Sequence, residues 1–114
     1  MGLGALTTIG VQRPQNLALA VFDNGCYGET GMQASHTDSA VALAGLARAC
    51  GIQQVFDIAD ETALRHFTGL AHSAETTLFA SVAIRAEDAP RVLPPRDGVL
   101  LKTRIRRAIG AERA

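Results

Sequence analysis

An asparagine followed by a glycine-rich stretch is the part of the sequence best suited to chemistry. Asn24 offers a neutral amide oxygen, a hard ligand of the kind that Mg²⁺ or Ca²⁺ accepts. Glycines at 25, 28 and 31 permit positive φ and let backbone groups approach a ligand closely. Free amides of successive residues also form a concave anion site. These residue types would suit the binding of a metal-bound phosphate group. An ordinary β-turn with a left-handed glycine is the alternative interpretation of the Asp-Asn-Gly sequence.

A histidine in the same stretch is the candidate catalytic residue. His36 follows Gln33 by three positions, and its imidazole can donate a hydrogen bond or a proton to a substrate carboxylate near neutral pH. A capping or loop-packing role for His36 stays open beside this one. His66 and His72 fall on the outward side of a helical pattern, which is typical of surface residues.

Short apolar runs predict the strands that position this stretch. Three runs read as strands because they are short, apolar and bounded by turn residues: 17–22, 54–58 and 77–84. The first is almost wholly apolar, which favours a strand covered on both faces. Residues 25–37 follow it as a long ordered loop. Strands alternating with helices predict a parallel sheet, whose ligands lie beyond the carboxyl ends of the strands.

Four helical patterns accompany these strands. The first covers residues 2–10 and ends at Arg13-Pro14. A second helix is expected to start at Thr37 or Asp38 and to end at Gly51. The third follows Asp60, and the last follows Asp97 after a proline-rich extended segment. The predicted inward residues are Leu3, Leu6 and Gly10; Ala40, Leu43, Ala44 and Ala47; Leu64, Phe67 and Ala71; and Leu101, Ile105 and Ala108.

Composition limits the classes of function. A chain of 114 residues and 12.0 kDa makes one domain at most, and its formal charge of +0 creates no global attraction to nucleic acid or to an anionic membrane. An aromatic content of 4%, with no Trp, argues against a base-stacking surface. No secretory signal or membrane-spanning run is visible, so we expect a cytoplasmic protein with Cys26 and Cys50 reduced. The basic residues of the last helix suit either a phosphate- or nucleic-acid-binding patch or a solvated helix face: Lys102, Arg104, Arg106 and Arg107.

The string VFDNGCYGETGMQASHT resembles the second half of the thiamine diphosphate motif of thiamine-dependent 2-oxo acid decarboxylases. The likeness is greatest to phosphonopyruvate and sulfopyruvate decarboxylases, and the tail RVLPPRDGVLLKTRIRRAIG also looks like the end of those proteins. The resemblance implies an α/β fold, a three-layer sandwich with a parallel sheet that lacks its first strand. It also implies one partial domain, with a core over residues 1–90 and an extended segment and helix over residues 91–114.

The same resemblance implies site residues, cofactors and a substrate. Asn24 matches the side-chain ligand of Mg²⁺, and Cys26 would supply its backbone carbonyl to the same ion. The remaining expected contacts to thiamine diphosphate or substrate are Gly25, Tyr27, Gly28, Gly31, Met32 and Gln33. The implied substrate is a short anionic 2-oxo acid, phosphonopyruvate or sulfopyruvate.

Two parts of the family's active site are not found in this sequence. The motif's Gly-Asp-Gly half, with its charged metal ligand, would precede the opening helix, where only MGLGALTTIG stands. The pyrimidine-binding domain, which supplies an activating Glu, would be a partner domain or subunit. The resemblance therefore implies part of a decarboxylase. A truncated remnant or assembly module without catalytic activity, and an unrelated flavodoxin-like binding domain, are the alternatives.

Overall fold

The computed structural model describes residues 2–87 and 90–111. Residues 2–87 form three layers with a parallel sheet in the middle. The helices are α1 (Leu3–Gln12), α2 (Leu43–Ala49), α3 (Glu61–His72) and α4 (Gly98–Ala108). The strands are β1 (Ala18–Asp23), β2 (Cys26–Tyr27), β3 (Gln33–Ala34), β4 (Gln54–Ile58) and β5 (Leu78–Ala83). The predicted α/β class and parallel sheet are confirmed. Met1 and residues 112–114, at the ends of the predicted segments, lie outside the described residues.

The central sheet has the strand order β1–β5–β4, with both pairs parallel. Ala80 in the middle strand stands opposite Ala20 on one side and Phe56 on the other. The connections place α2 between β1 and β4 and α3 between β4 and β5, as expected for parallel strands joined by helices. All three carboxyl ends therefore meet at one edge.

Each face of the sheet has its own apolar core. On one face α1 and α2 pack over a cluster of buried residues: Leu6, Ala47, Ile52 and Phe79. On the other face α3 packs over a second cluster: Ile58, Phe67, Leu78, Ala80 and Val82. Successive side chains of β5 contribute to opposite clusters, because neighbouring residues of a strand point to opposite faces of the sheet.

The predicted start of the second helix is wrong. Residues 36–38 form a short 3₁₀ turn, and α2 begins only at Leu43, after an Ala42 N-cap that makes no side-chain hydrogen bond. Ala40 is exposed and lies outside the helix. The Thr37 hydroxyl, expected to cap the helix, instead donates a hydrogen bond to Asp23.

Three predictions of burial are also wrong. β1 is covered on one face only, because α3 packs against β4 and β5 and leaves Phe22 63% exposed. In α4 the Asp97 cap forms as predicted, but the expected inward face is not buried. Leu101 is half-buried, whereas Ile105 and Ala108 are exposed. Likewise Leu3 in α1 is exposed, while Leu6 and Gly10 are buried.

Candidate functional site

The glycine-rich stretch leaves the carboxyl end of β1 and folds as a small antiparallel hairpin (residues 24–37, here called the glycine hairpin). Cys26 stands opposite Ala34, and Tyr27 opposite Gln33. A 3₁₀ turn at residues 28–30 makes the tip, and Gly31 adopts a φ of 117°, which an L side chain rarely adopts. The hairpin therefore lies at the edge of the sheet where parallel folds bind ligands.

A carboxylate at the base holds the glycine hairpin closed. Asp23 Oδ1 accepts hydrogen bonds from Gly25 N at 2.9 Å and from Thr37 Oγ1 at 2.7 Å. Gly25 also accepts a backbone hydrogen bond from Ser35 N at 2.8 Å. Asp23 thus links both ends of the hairpin to the end of β1 and fixes the position of the next residue, Asn24.

Asn24 lies inside the glycine hairpin and is half-buried. Its Oδ1 accepts a hydrogen bond from Cys26 N at 3.0 Å. A Cβ placed on Gly28 would stand 3.9 Å from Asn24 Nδ2 and 3.9 Å from Met32 Sδ. The structure therefore brings Asn24, Gly28 and Met32 together, and the absence of a side chain on Gly28 leaves room beside the amide.

Three other expected residues take part in hydrogen bonds within or across the hairpin. Gln33 Nε2 donates to Thr30 O at 2.8 Å, and Gln33 Oε1 accepts from the Thr30 hydroxyl at 3.0 Å. Its amide therefore stiffens the tip. The Tyr27 hydroxyl lies 3.2 Å from His36 Nδ1, and both side chains are exposed. With Tyr27 donating, the neutral imidazole carries its proton on Nε2, facing away from the tyrosine.

The donor set fits part of a magnesium–diphosphate site and does not complete one. Mg²⁺ requires near-octahedral oxygen ligands, and the candidate residues supply one amide oxygen from Asn24 and one backbone carbonyl from Cys26. The Asn24 oxygen already accepts one hydrogen bond. Over residues 2–87 and 90–111, no group of three or more His, Cys, Asp or Glu side chains could hold a metal ion. A charged ligand would have to come from another segment.

Sequence reasoning did not find the Asp23–Thr37 hydrogen bond or the Tyr27–His36 contact. The local pattern places Asp23 only in a turn, because its partner Thr37 lies fourteen positions away and carries no periodic signal. The available signal was chemical: an aspartate directly before Asn-Gly often accepts a hydrogen bond from the backbone two residues on. Tyr27 and His36 become neighbours only when the hairpin forms.

Similarity to known proteins points to one group of enzymes. The chain is 42% identical over 55 residues to the "Sulfopyruvate decarboxylase subunit beta" of Methanocaldococcus jannaschii, covering 48% of this chain and 29% of that protein. It is 33% identical over 94 residues to the protein of the same name from Methanococcus maripaludis, covering 81% of this chain and 50% of that protein. It is 35% identical over 103 residues to the "Phosphonopyruvate decarboxylase" of Streptomyces viridochromogenes, covering 82% of this chain and 25% of that protein. No family model and no solved structure matches the chain.

These matches span half or less of each relative, so the chain corresponds to a part of them. In the described part of the chain no helix is both long and apolar enough to cross a membrane.

Proposed function

Since this chain belongs to the family of the thiamine diphosphate-dependent 2-oxo acid decarboxylases, we propose that it is the cofactor-binding part of such an enzyme. Its substrate class is a short anionic 2-oxo acid, sulfopyruvate or phosphonopyruvate, after the names of the similar proteins. The observation that carries the proposal is the position of Asn24, which a closed glycine hairpin presents at the carboxyl edge of a parallel sheet.

Within this proposal the chain binds and positions the cofactor, and the cofactor carries out the decarboxylation chemistry. Asn24 and the Cys26 carbonyl provide two neutral oxygens for Mg²⁺, and the backbone of Gly25, Gly28 and Gly31 accommodates the diphosphate. Met32 lies beside Asn24 and would contact the cofactor. His36 would donate a hydrogen bond from Nε2 to the anionic group of the substrate, with Tyr27 fixing its tautomer.

A partner must complete the site. The donor set lacks a carboxylate, and the similar proteins named as subunit beta have by that name a companion subunit. We therefore propose that a pyrimidine-binding domain or subunit, together with a segment bearing the missing carboxylate, assembles on this chain. The second candidate function, a non-catalytic assembly module, is favoured by the same incomplete donor set.

Binding and activity measurements separate the two functions. Thiamine diphosphate with Mg²⁺ is titrated calorimetrically into the chain alone and into its complex with the complementary subunit, and CO₂ release from sulfopyruvate and phosphonopyruvate is followed in the complex. We expect weak or no binding to the chain alone and decarboxylation by the complex. Asn24→Ala should weaken cofactor binding by the complex at least about tenfold, since it removes an oxygen ligand of the metal.

Asn16→Ala is the matched control, because Asn16 is exposed and lies outside the glycine hairpin. Equal cofactor affinity in the Asn24 and Asn16 variants would show that Asn24 is not a ligand. Assembly without cofactor binding or CO₂ release would establish the assembly module instead. Micromolar binding of the cofactor by the chain alone would contradict the incomplete donor set.

A further inference from the structure

The C-terminal arm, defined as residues 90–111, makes no core with the rest of its chain. α4 contains no buried residue, and most of its apolar side chains are exposed: Ile105 is 62% exposed and Val99 67% exposed. Before the helix, Val92 is 86% exposed and Leu93 88% exposed. Leu101, Ile105 and Ala108 nevertheless recur at the spacing of an amphipathic helix face. Such a face gains free energy only when another surface covers it.

The formal charge of the chain conceals two oppositely charged parts. Residues 90–111 contain six basic residues and one acidic residue, a formal charge of +5. Residues 2–87 contain four basic and eight acidic residues, a formal charge of −4. The arm and the α/β core are therefore electrostatically complementary, and every copy of the chain carries both partners of the interaction.

The core offers an apolar groove with acidic residues at its rim. The groove lies at the carboxyl edge of the sheet, on the α3 side, where β1 is left uncovered. Phe22 and Ile84 are 63% and 46% exposed there, and Leu64 of α3 is half-buried. Asp60 and Glu61 also line it, at the start of α3. The apolar floor of this groove and its acidic rim are therefore complementary to α4, whose apolar face is flanked by Lys102 and Arg104.

The connection between core and arm favours docking onto another molecule. Ile84, just after β5, lines the groove itself, so α4 could reach the same groove only if the chain reversed direction. Pro90, Pro94 and Pro95 instead hold the segment before α4 extended, and proline-rich segments act as semi-rigid spacers. The radius of gyration is 17.0 Å, against about 13 Å for a compact chain of this length. The arm therefore projects from its own core.

We propose that the C-terminal arm docks onto a second copy of this chain, with α4 in the groove formed by Phe22, Leu64 and Ile84. The basic side chains of α4 lie along the acidic rim of that groove. If the exchange is reciprocal, two arms and two grooves give a closed dimer. This inference concerns the surface of the chain and does not depend on the proposed chemistry.

The oligomeric state of the full chain and of three variants tests the proposal by sedimentation equilibrium at low and high salt. The wild-type chain is expected to dimerise, with a dissociation constant that rises with salt. Ile105→Glu places a charge on the docking face and should raise that constant at least about tenfold. Arg104→Glu should raise it less, about threefold to tenfold. Arg48→Glu, an equal charge reversal at an exposed position of α2, is the matched control and should leave the dissociation constant unchanged.

A mixing experiment identifies the surface that receives the arm. A triple variant, Ile109→Cys with Cys26 and Cys50 replaced by alanine, is spin-labelled at residue 109 and mixed with ¹⁵N chain that carries no spin label. We expect the ¹⁵N amide signals of Phe22, Leu64 and Ile84 to broaden in the mixed dimer. Variants of the arm should remain folded, because Ile105 contributes nothing to the core.

Four outcomes would overturn the proposal. A monomeric wild-type chain at high micromolar concentration would exclude docking between copies. Dimers unaffected by Ile105→Glu and Arg104→Glu would place the contact elsewhere, for instance at the free edge of β1. Broadening that appears only when the spin-labelled chain itself carries ¹⁵N, and not in the mixed sample, would mean that the arm folds back on its own core. Dimerisation only after the complementary subunit is added would make that subunit the arm's partner.

Discussion

Substituting Gly10 in α1 tests whether this helix packs as closely on α2 as the structure shows. A Cβ built on Gly10 would stand 1.8 Å from the Cys50 carbonyl oxygen and 2.9 Å from its carbonyl carbon. Neither atom belongs to a flexible side chain, so α1 itself must move. Its movement would loosen the contact of Leu6, which is 7% exposed, with Phe79, which is fully buried. We therefore expect Gly10→Ala to destabilise the protein.

The magnitude follows from two opposing terms. Alanine in place of glycine within a helix normally stabilises it by up to about 1 kcal/mol. Overpacking a close contact costs about 1–3 kcal/mol, and a clash with backbone lies at the upper end or beyond. The net expectation for Gly10→Ala is a loss of about 2 kcal/mol in the free energy of unfolding. Gly4→Ala in the same helix should gain up to about 1 kcal/mol, because nothing lies within 4 Å of its Cβ.

Urea unfolding followed by circular dichroism at 222 nm measures the difference between these two variants at equal protein concentration. With a slope of about 1–3 kcal/mol per M, Gly10→Ala should lower the midpoint by about 1 M, while Gly4→Ala leaves it unchanged or raises it. If Gly10→Ala were as stable as Gly4→Ala, the close approach of α1 to Cys50 would be refuted.

Three further pairs of substitutions test the hairpin and the caps. Gly25→Ala should cost about 1 kcal/mol of unfolding free energy because φ is +68°, and Gly25→Asn should cost less, since asparagine tolerates that conformation; urea midpoints compare them. Asp60→Ala should cost about 1 kcal/mol of core stability through the lost N-cap, whereas Asp97→Ala should reduce helical circular dichroism without moving the midpoint. Thr37→Val removes a donor at the hairpin base and should speed amide exchange within the hairpin, measured by NMR. Thr62→Val, at an exposed position of α3, should leave that exchange unchanged.

Local patterns predicted the secondary structure well where one signal was sufficient. The limits of β4 agree with the predicted run 54–58, and Asp60 caps α3 as its position before a helical pattern indicated. The start of α2 could not be found in this way. Thr37 has a side chain suited to capping, but its hydroxyl donates to Asp23, fourteen positions away, and residues 36–38 form a 3₁₀ turn instead. A local pattern contains no information about that distant partner.

Burial was the least predictable property, since it depends on which surfaces cover each face. The apolar run of β1 predicted cover on both sides, and α3 covers only its neighbours. The periodicity of α4 predicted an inward face at Leu101, Ile105 and Ala108, but only Leu101 is half-buried and the other two are exposed. The choice of Asn24 as a candidate ligand followed from residue chemistry, but its hydrogen bond with Cys26 N required the folded hairpin.

In the part of the chain that the structure describes, β1 has an unpaired edge, and it ends directly before Asn24, whose set of metal-binding oxygens is incomplete. In the described residues β1 pairs only with β5. The carbonyl of Leu17 accepts a hydrogen bond from Leu78 N in β5, and the carbonyl of Asp23 accepts one from Ile84 N, just after β5. The backbone amide and carbonyl groups of the odd-numbered residues from 17 to 23 therefore point toward β5. Because the amide and carbonyl of one residue in a parallel strand point to the same side, Ala18, Ala20 and Phe22 direct theirs to the open edge.

A strand added in parallel at that edge would end beside Asn24, since the carboxyl ends of parallel strands meet at one edge of a sheet. We therefore expect the segment that carries the missing carboxylate to pair with β1. Amide exchange measured by NMR should be fast at Ala20 and Phe22 in the chain alone and should slow at least about tenfold when the complementary subunit binds. Leu19 and Val21, whose amides face β5, should be protected in both states. Unchanged exchange at Ala20 and Phe22 in an active complex would mean that the carboxylate reaches Asn24 from another direction.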